Sequence, residues 1–566
     1  MTERPWFRNY DEGVPHTLKP YPEHTLIDVL RETVKAGRGD DPALLFQGTT
    51  ISYRQLDLQS GAFASALVAA GVRKGDRVAI VMPNSPQMII AEFGIWKAGG
   101  VVVPINPLYT GHELEYAISE CGAETAVVLS MFYTKVCEAR GNTPLKRIIV
   151  SNIKEYLPPI KRVLFTLLKE AREGHRASLA SGDLGMQAMI AAHEGRSPAG
   201  IPVSHTDPAV FMFSGGTTGR PKCAIGRHQA MVITGLQLSK WFGVVLSGRK
   251  DSVILNMPLF HVYGQLGIMT AGLVRNYPLI LVPNPKDIDG LLHLISKLRP
   301  AVLPGVPTLF NALAAHPKLQ KDHTLLKSIK LIVSGASPLH LETRKRFESM
   351  TGAQIIEAYG MTESMLASVC TPVLGIRKNG AVGVPAPDVD IRIVDADDSS
   401  VDLPSGAVGE VLLQAPQLME CYWNNPTETE GMLRDGWLYT GDLGYLDQDG
   451  FLYIVDRKKD LIKPSGFQVW PREVEEIISK HPSVLEVGVA GVPDDRKGEA
   501  VKAWVVLRKG CELPVEELKD YCRKDLAAYK VPNHVEFRDA LPKSHIGKVL
   551  RRQLVEEHNS LGKSGT

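Results

Sequence analysis

A ten-residue segment at positions 213–222, FSGGTTGRPK, combines the residue types that hold a polyphosphate. Backbone N–H groups, hydroxyl donors and one lysine can surround phosphate oxygens and neutralise part of their charge. The segment is not a Walker A loop, because Pro221 and Cys223 stand where that motif has Gly and Ser or Thr. The alternative is a flexible turn. The candidate phosphate ligands are Ser214, Gly215, Gly216, Thr217, Thr218, Gly219 and Lys222.

The length and composition of the chain are those of a globular protein with several domains. Its 566 residues exceed the roughly 100–200 residues of one domain. Hydrophobic residues form 44% and charged residues 22%, which excludes disordered and fibrous classes. The formal net charge of +2 provides no broad basic field for a nucleic-acid backbone, so we expect no nucleic-acid partner.

The cysteines and the N-terminal segment indicate the compartment. The seven cysteines include no CxxC pair, which argues against a disulfide framework and a zinc site and favours a reducing compartment. The first twenty residues are charged and contain prolines, and no apolar run approaches the roughly 20 residues of a spanning helix. We expect a protein with neither a classical export signal nor a membrane span.

The elements that must position these residues follow from the hydrophobic pattern. Short apolar runs alternate with amphipathic segments of helix length, which is typical of a parallel or mixed sheet covered by helices. Residues 76–82 predict a buried strand, and Ser85-Pro86 predicts the start of the next helix. After about residue 364 short paired strands dominate, with a hairpin signal at Asp449-Gly450. The last hundred residues have a separate α+β pattern.

The phosphate segment resembles the signature loop of the AMP-forming, adenylate-forming enzymes, which include acyl-CoA synthetases, firefly luciferase and adenylation domains of peptide synthetases. Other motifs of that superfamily follow in order over nearly the whole chain, which is far more specific than one motif. They are 258–261 (PLFH, the substrate-side loop), 334–336 (SGA) and 359–363 (YGMTE, the adenylate site), 439–442 (YTGD, the ribose site), 455–460 (VDRKKD, the hinge), and 541–544 (LPKS) with Gly547-Lys548, the C-terminal lysine loop. Two departures are Cys223 in place of the usual Gly, and His545-Ile546 where a Thr commonly precedes the final Gly-Lys.

The predicted fold class is α/β and α+β multidomain. A large N-terminal domain of sheet-and-helix subdomains, residues 1–456, would bind ATP and the acyl group. Its last part, about 365–456, is predicted to be a β-rich subdomain. The resemblance implies a hinge at 457–460 and a small, mobile α+β domain at 461–566.

The resemblance also implies a reaction, in which a carboxylic acid is activated with ATP and Mg²⁺ and the acyl group passes to coenzyme A. Attack on the α-phosphorus brings more negative charge to a tetra-anionic chain, so cations must neutralise it. Lys222 and Lys548 are the candidate side chains. His261 would line the carboxylate pocket, or is a structural histidine. Thr217 and Glu363 would hold Mg²⁺, which prefers oxygen ligands; the alternative for Glu363 is a solvated charge.

Further residues are implied to bind the nucleotide. The Asp442 carboxylate can accept two hydrogen bonds from a ribose diol and Arg457 can add donors, although an Asp in a TGD sequence often serves a turn. Tyr359 would stack on adenine, or is a core aromatic residue. The other implied nucleotide-site residues are Gly335, Ala336, Glu357, Gly360 and Thr362.

Lys548 lies in the predicted small domain and the phosphate segment in the large one, so catalysis requires closure. The resemblance implies that the small domain first presents Lys548 and then swings about Lys459. A second face, with Lys463 and Gly466, would then serve thioester formation with coenzyme A. The alternative for residues 457–459 is a solvated basic linker.

Residues 160–172 predict an amphipathic helix. Its apolar stripe has helical spacing, and across 153–176 six basic residues accompany three acidic ones. Such a helix suits the surface of an anionic membrane, where fatty acids partition. The alternative is an ordinary helix packed on the core. The apolar residues of the stripe are Ile160, Val163, Leu164, Leu167, Leu168 and Ala171.

This segment and Gly215-Gly216 make the chain resemble bacterial long-chain fatty-acid CoA ligases more than coumarate ligases or luciferase. We therefore expect a long-chain fatty acid–CoA ligase in the cytoplasm, peripheral on the inner face of the membrane. A fatty acyl-AMP ligase that loads a carrier protein is the alternative enzyme. A non-catalytic nucleotide and fatty-acid binding protein is disfavoured, because Lys548 and Glu363 are both present. Residues 241–246 and 262–269 are candidate walls of an apolar tunnel; the acyl chain length and a homodimer stay open.

Overall fold

The computed structural model describes residues 4–214, 221–246, 248, 250–494, 496–544 and 547–563. These residues form four β-sheets with associated helices, and strands and helices are numbered in chain order. The mixed α/β multidomain class predicted from the sequence is confirmed.

Nine strands form the largest sheet, in the order β16-β15-β14-β13-β12-β10-β11-β1-β2. Its central strands are parallel, and antiparallel pairs close both edges. The strands are β1 (Pro42–Phe46), β2 (Thr49–Ser52), β10 (Val253–Leu255), β11 (Leu279–Leu281), β12 (Val302–Gly305), β13 (Leu331–Ser334), β14 (Ile355–Tyr359), β15 (Val369–Cys370) and β16 (Val384–Pro385).

Seven strands form the second sheet, in the order β7-β6-β5-β3-β4-β8-β9, parallel except for its β8–β9 pair. They are β3 (Arg77–Val81), β4 (Val101–Pro104), β5 (Thr125–Leu129), β6 (Arg147–Ser151), β7 (Leu184–Gly185), β8 (Pro208–Ser214) and β9 (Lys222–Arg227). The buried strand predicted at 76–82 is confirmed by β3, whose last four residues are all buried, as expected when helices cover both faces of a parallel sheet.

Thirteen helices accompany these two sheets in the described part of the chain. The helix predicted after Ser85-Pro86 is α3, with Pro86 as its first residue. Three of the others begin with a capping box, in which the side chains of Thr25, Ser52 and Thr110 accept hydrogen bonds from the first turn. The helices are α1 (Leu26–Thr33), α2 (Tyr53–Ala69), α3 (Pro86–Lys97), α4 (Gly111–Cys121), α5 (Tyr133–Arg140), α6 (Pro159–Leu168), α7 (Met186–Ala192), α8 (His228–Phe242), α9 (Thr270–Arg275), α10 (Ile288–Leu298), α11 (Pro307–Ala315), α12 (Pro317–Lys321) and α13 (Leu341–Thr351), and a π-helical turn (Tyr263–Met269) precedes α9.

The rest of the chain forms two smaller sheets. The antiparallel five-stranded sheet contains β17 (Asp390–Val394), β18 (Gly409–Gln414), β19 (Leu433–Arg434), β20 (Trp437–Leu446) and β21 (Leu452–Arg457), with α14 (Pro426–Met432) beside it. A 3₁₀ turn (Lys458–Asp460) follows β21. The C-terminal part contains α15 (Pro471–Ser479), β22 (Val484–Asp494), β23 (Gly498–Leu507), α16 (Val515–Arg523), β24 (His534–Phe537) and α17 (Arg551–Lys563).

The two large sheets share one continuous hydrophobic core, whereas the C-terminal part has cores of its own. Asn84, which follows β3, fixes the seam between the two sheets. Its amide donates 2.9 Å hydrogen bonds to the carbonyls of Leu255 and Met257, and its oxygen accepts one from the Leu259 N–H. A buried side chain with all three bonds made holds the two sheets in one relative position.

Helix α6 contributes no buried residue to the core. It ends at Leu168, before the end of the predicted amphipathic stripe, and none of its ten residues is buried. The alternative prediction of an ordinary core-packed helix therefore does not describe it. Within the described residues, no helix has the length and apolar character needed to cross a membrane.

Candidate active site

The predicted adenylate motifs meet at the carboxyl ends of two neighbouring parallel strands. Gly335 and Ala336 follow β13, and Tyr359 ends β14. In an open parallel sheet, the crevice beyond these strand ends is the usual place for a ligand. Ala336 has φ = 65° and Leu366 has φ = 60°, a left-handed conformation that is costly for residues other than glycine and is found preferentially at ligand sites.

Tyr359, Asp442 and Arg457 form a chain of polar contacts at this edge. The Tyr359 hydroxyl donates a 2.6 Å hydrogen bond to Oδ2 of Asp442, and Nε of Arg457 lies 3.3 Å from Oδ1. Asp442 and Arg457 are register partners in the β20–β21 pair. Burial, reinforced by the Asp442 charge, raises the pKa of Tyr359 well above its ordinary value, so the hydroxyl remains a donor.

Lys548 reaches the same place from the C-terminal part of the chain. Burial, followed by the neighbouring Arg457 charge, lowers the pKa of Lys548 to about 8, while Asp442 opposes the shift. Burial also lowers the pKa of His261 to about 4, and the Lys548 charge adds to this effect. The structure therefore brings together Lys548, Asp442, Arg457 and His261, four residues from separate sequence motifs.

The approach of the C-terminal part leaves little space at Gly547. Its φ is 80°, and a Cβ atom at this position would lie 2.4 Å from Oγ1 of Thr308, near the start of α11. A side chain at this position would require Thr308 to move, and the positive φ favours glycine. Sequence reasoning identified Gly547 as part of a loop but missed Thr308, because a threonine in the first turn of a helix is an ordinary feature.

Only the two ends of the phosphate segment are described. Ser214 ends β8 and pairs in register with Lys222 at the start of β9. The predictions for Gly215, Gly216, Thr217, Thr218 and Gly219 fall outside the described residues. Cys223 is buried, and its carbonyl accepts a 2.8 Å hydrogen bond from the Trp423 N–H. Burial raises the pKa of the Cys223 thiol well above its ordinary value, so it packs as a small, protonated side chain.

The loop lysine contacts a residue that the sequence did not point to. The Lys222 ammonium forms an ion pair with Glu428 on α14 and lies 5.2 Å from the centre of the Tyr422 ring. The Tyr422 hydroxyl donates a 2.6 Å hydrogen bond to Oε1 of Glu363. Tyr422 therefore contacts both candidate charged residues, Lys222 through its ring and Glu363 through its hydroxyl. Asn425-Pro426 is a readable helix start, but it gives no sign that α14 lies beside the phosphate segment.

The donor set fits Mg²⁺ bound together with phosphates. Among the described residues, no three His, Cys, Asp or Glu side chains could hold a metal between them. Mg²⁺ uses one or two carboxylates with substrate phosphates and water. The buried Glu363 supplies such a carboxylate, and in the described part of the chain its only hydrogen-bonded side-chain oxygen is Oε1.

A largely apolar cavity opens from the adenylate motifs. Its polar end includes His261, Gly335, Ala336, Tyr359 and Gly360. The candidate walls at 241–246 and 262–269 contribute part of the lining. The walls that sequence reasoning missed come from strands and helices that look like ordinary core. The apolar lining includes Leu238, Phe242, Leu246, Val253, Val262, Tyr263, Gly267, Ile268, Tyr277, Val302, Leu331 and Val333.

The remaining predicted residues lie around this centre. Thr362 is buried beside Glu363, and the Glu357 side chain lies 3.7 Å from Arg344. Burial raises the pKa of Glu357 to about 7, against the opposing charges of Arg472 and Arg344.

Three further residues were predicted to form the hinge and the second face. Lys459 lies in the 3₁₀ turn after β21, and burial lowers its pKa. Lys463 is exposed, and its N–H donates to Glu499; Gly466 ends a second 3₁₀ turn (Pro464–Gly466). In the described part of the chain, no hydrogen bond or ion pair joins Lys463 or Gly466 to the nucleotide-site residues.

Comparisons with known proteins agree over nearly the whole chain. The AMP-binding enzyme family model matches residues 30–423, and that of the AMP-binding enzyme C-terminal domain matches residues 473–548. A long-chain-fatty-acid–CoA ligase of Bacillus subtilis is 37% identical over 559 residues, covering 98% of each chain. One from Yersinia pestis is 36% identical over 99% of each chain. A 4-coumarate–CoA ligase of Oryza sativa is 31% identical over 90% of this chain and 89% of its own.

Solved structures have the same architecture. ATP-bound MatB from Rhodopseudomonas palustris superposes with a TM-score of 0.83 at 29% identity, over 95% of this chain and 100% of its own. The anthranilate CoA ligase AuaEII in complex with anthranoyl-AMP gives a TM-score of 0.82 at 26% identity, over 95% and 98% of the two chains.

Proposed function

The chain belongs to the AMP-binding enzyme family, and from that premise we propose that it is a long-chain fatty acid–CoA ligase. It converts a fatty acid and ATP into acyl-adenylate and pyrophosphate, and then transfers the acyl group to coenzyme A with release of AMP. The carrying observation is that Lys548 lies within electrostatic reach of Arg457, Asp442 and His261. His261 and Tyr359, whose hydroxyl donates to Asp442, both line the apolar cavity.

In the first step the nucleotide lies beyond the ends of β13 and β14. Tyr359 stacks on adenine, with Gly335, Ala336, Glu357, Gly360 and Thr362 around it, while Asp442 accepts the ribose hydroxyls and Arg457 donates beside it. A carboxylate oxygen of the fatty acid bonds to the α-phosphorus as the bond to the pyrophosphate oxygen breaks. Charge accumulates on the phosphate oxygens, and the ammonium groups of Lys222 and Lys548 stabilise it.

The phosphate segment and Glu363 complete the polar part of the site. Ser214, Gly215, Gly216, Thr217, Thr218 and Gly219 supply donors to the phosphates. Mg²⁺ would be held by Glu363 and Thr217, and when bound it supplies positive charge next to the phosphate oxygens. Tyr422 donates to Oε1 of Glu363 and so orients the carboxylate.

The apolar cavity takes the acyl chain. Its lining is almost entirely hydrocarbon and aromatic, as in most sites that enclose an apolar ligand. His261 is uncharged at neutral pH because its pKa is about 4, so it can donate a hydrogen bond to the carboxylate without fixing it as an ion pair.

In the second step the coenzyme A thiol gives up its proton, its sulfur bonds to the acyl carbon, and AMP leaves. We assign residues 1–456 to ATP and acyl binding, with the β-rich subdomain at about 365–456. Residues 457–460 act as the hinge, and 461–566 as the mobile domain. A swing about Lys459 withdraws Lys548 and presents Lys463 and Gly466 to coenzyme A.

A pyrophosphate-release assay across fatty acids of increasing length, with and without coenzyme A, tests this function. We expect release with long-chain acids and acyl-CoA only when coenzyme A is present. Acyl-adenylate that accumulates with coenzyme A present would indicate a fatty acyl-AMP ligase instead. Binding of ATP and acid without any release would indicate a non-catalytic binding protein.

The exposed helix α6 supports a proposal for where in the cell the protein acts. Five of its large apolar side chains, Ile160, Val163, Leu164, Leu167 and Leu168, are 51–77% exposed. Lys161 and Arg162 flank the stripe and donate to backbone carbonyls, and Lys169 follows the helix. An apolar stripe with basic flanks binds anionic lipid surfaces. We propose that residues 160–172 dock on the inner face of the membrane, from the cytoplasm, where ATP and coenzyme A are present.

A second copy of the chain is the alternative partner for the exposed apolar stripe of α6. The stripe is a patch of roughly a few hundred Å², whereas stable protein interfaces bury about 800 Å² per partner. A homodimer through α6 alone would fall short of this area, and the basic flanks of two copies would repel each other. Charge and area therefore both favour lipid.

A further inference from the structure

Asp456, the residue before the last of β21, is buried and lies between the two parts of the chain. Its carboxylate accepts three hydrogen bonds. Oδ1 accepts from the Arg457 N–H at 2.8 Å and from Arg551 at 3.0 Å, and Oδ2 accepts from the Arg472 N–H at 2.8 Å. Arg472 and Arg551 both come after the hinge at 457–460, so Asp456 joins the large domain to the small one.

The bond to Arg472 anchors a whole helix. Arg472 is the second residue of α15, and a carboxylate at this position satisfies a free N–H and interacts favourably with the helix dipole. The Arg472 guanidinium also donates a 2.6 Å hydrogen bond to the Ile454 carbonyl on β21. The start of α15 is thus bound to the end of β21 at two points.

Arg551 provides the link to Lys548, three residues before it. Its buried guanidinium contacts three carboxylates: Asp456 at 3.0 Å, Asp460 at 3.2 Å and Glu475 at 2.7 Å. Asp460 and Glu475 lie beyond Lys459 and move with the small domain. Asp456 lies before Lys459 and stays with the large domain. A swing about Lys459 therefore preserves two of the three ion pairs and breaks the one with Asp456.

We propose that Asp456 is a positioning residue that latches the small domain, and Lys548 with it, in the arrangement for acyl-adenylate formation. The inference rests on the proposed function and its two arrangements. Asp456 acts through Arg472 and Arg551 and touches neither substrate. Release of the latch costs one buried ion pair and one helix cap, so the thioester arrangement gains relative stability when the latch is absent.

The test is Asp456→Asn, with Glu475→Gln as its matched control. Asparagine removes the charge and leaves an amide nitrogen facing one of the donors. We expect pyrophosphate exchange to fall by about tenfold or more, while acyl transfer from supplied acyl-adenylate to coenzyme A stays within about twofold of wild type. Glu475 accepts from Arg551 and from the Val489 N–H inside the small domain, so Glu475→Gln should lower both half-reactions together.

Tryptic cleavage at Lys458 and Lys459 gives a readout that needs no turnover. Both residues are exposed, and their turn follows Asp456 and ends at Asp460, both of which pair with Arg551. Asp456→Asn should be cut about threefold faster than wild type at equal thermal stability, and Asp456→Glu, which keeps the charge, should lie between them. Equal loss of both half-reactions in Asp456→Asn, or unchanged cleavage, overturns the latch. If the wild-type protein releases no pyrophosphate, the proposed function is overturned. The cleavage rates of wild type and Asp456→Asn would still test the latch in that case.

Discussion

The Tyr359 hydroxyl lies 2.6 Å from Oδ2 of Asp442, so the residues proposed to bind adenine and ribose form one hydrogen-bonded unit. Asp442→Asn removes the charge that this hydroxyl and Arg457 both face. We expect the KM for ATP to rise about tenfold, with a smaller effect for Tyr359→Phe, which loses one neutral donor to a charged acceptor. Asp402→Asn breaks an exposed ion pair with Arg392 in the same region and serves as control. An equal change in that control would refute a specific role for Asp442.

The charge of Lys548 should limit activity at alkaline pH. Its pKa of about 8 lies below the ordinary lysine value, so the ammonium form that stabilises the phosphates is lost as pH rises through 8. We expect kcat/KM for ATP in the adenylation step to decline above pH 8. Bound ATP favours the charged form, so kcat should decline at a higher pH.

Lys548→Arg separates this effect from other titrations. A guanidinium stays charged, so the alkaline decline should disappear even if the rate is lower. His261, with a pKa of about 4, does not titrate in this range. A decline that persists unchanged in Lys548→Arg would assign the titration to another group.

The ion pair between Lys222 and Glu428 should compete with ATP. Lys222 must leave Glu428 to contact a phosphate, and a partly exposed pair contributes about 0.2–1 kcal/mol. Glu428→Gln should therefore lower the KM for ATP by roughly two- to threefold. Glu430→Gln removes the same charge from the same helix and serves as control. Equal effects of the two variants would show general electrostatics rather than release of Lys222.

A side chain at position 267 should shorten the acids that the cavity accepts. Gly267 lines the cavity, and a Cβ atom there would lie 2.8 Å from Cδ2 of Leu366 and 3.3 Å from the Tyr263 ring. We expect Gly267→Val to move the kcat/KM maximum to shorter fatty acids, with Gly267→Ala intermediate and the KM for ATP unchanged. An unaltered chain-length profile would place the acyl chain elsewhere.

Helix α6 should bind anionic vesicles in a salt-dependent way. We expect the chain to sediment with vesicles that contain phosphatidylglycerol, less so at high salt, because the basic flanks interact with the lipid charge through solvent. The double variant Leu164→Asp with Leu167→Asp should lose this binding. Leu298→Asp, at an exposed leucine on α10, should not.

Two results would contradict the role of α6. Sedimentation that does not depend on salt, or none at all, would remove the lipid proposal. Light scattering that shows a dimer abolished by the Leu164 and Leu167 changes would make a second copy the occupant.

The sequence predicted the parts of the site that lie at strand ends. Gly335, Ala336 and Tyr359 belong to motifs that the resemblance assigned to the adenylate site, and the structure has them at the ends of adjacent parallel strands, which finish at one edge. The meeting of Lys548 with Asp442 was implied by the resemblance, because a swinging domain must deliver a cation to the nucleotide. Helix α6 was predicted from its stripe, but its exposure was not, since a stripe is equally suited to a core or a membrane.

The rest depended on contacts between distant segments. Val302, Leu331 and Val333 are strand residues whether they face a core or a cavity, so their pattern carries no sign of a ligand. Glu428 lies in a short helix far from Lys222 in sequence, and one acidic residue near a helix start normally serves the helix itself. Arg551 immediately follows the motif that was recognised, but its three carboxylates come from three separate segments.

Among the described glycines of the C-terminal part of the chain, Gly547 is the position that tolerates an added side chain least. A left-handed φ of 80° and the close approach of the Thr308 side-chain oxygen together make any residue other than glycine costly at this position. A methyl group at this position would press against Thr308. It would therefore disfavour the arrangement in which the neighbouring Lys548 reaches the nucleotide-site residues.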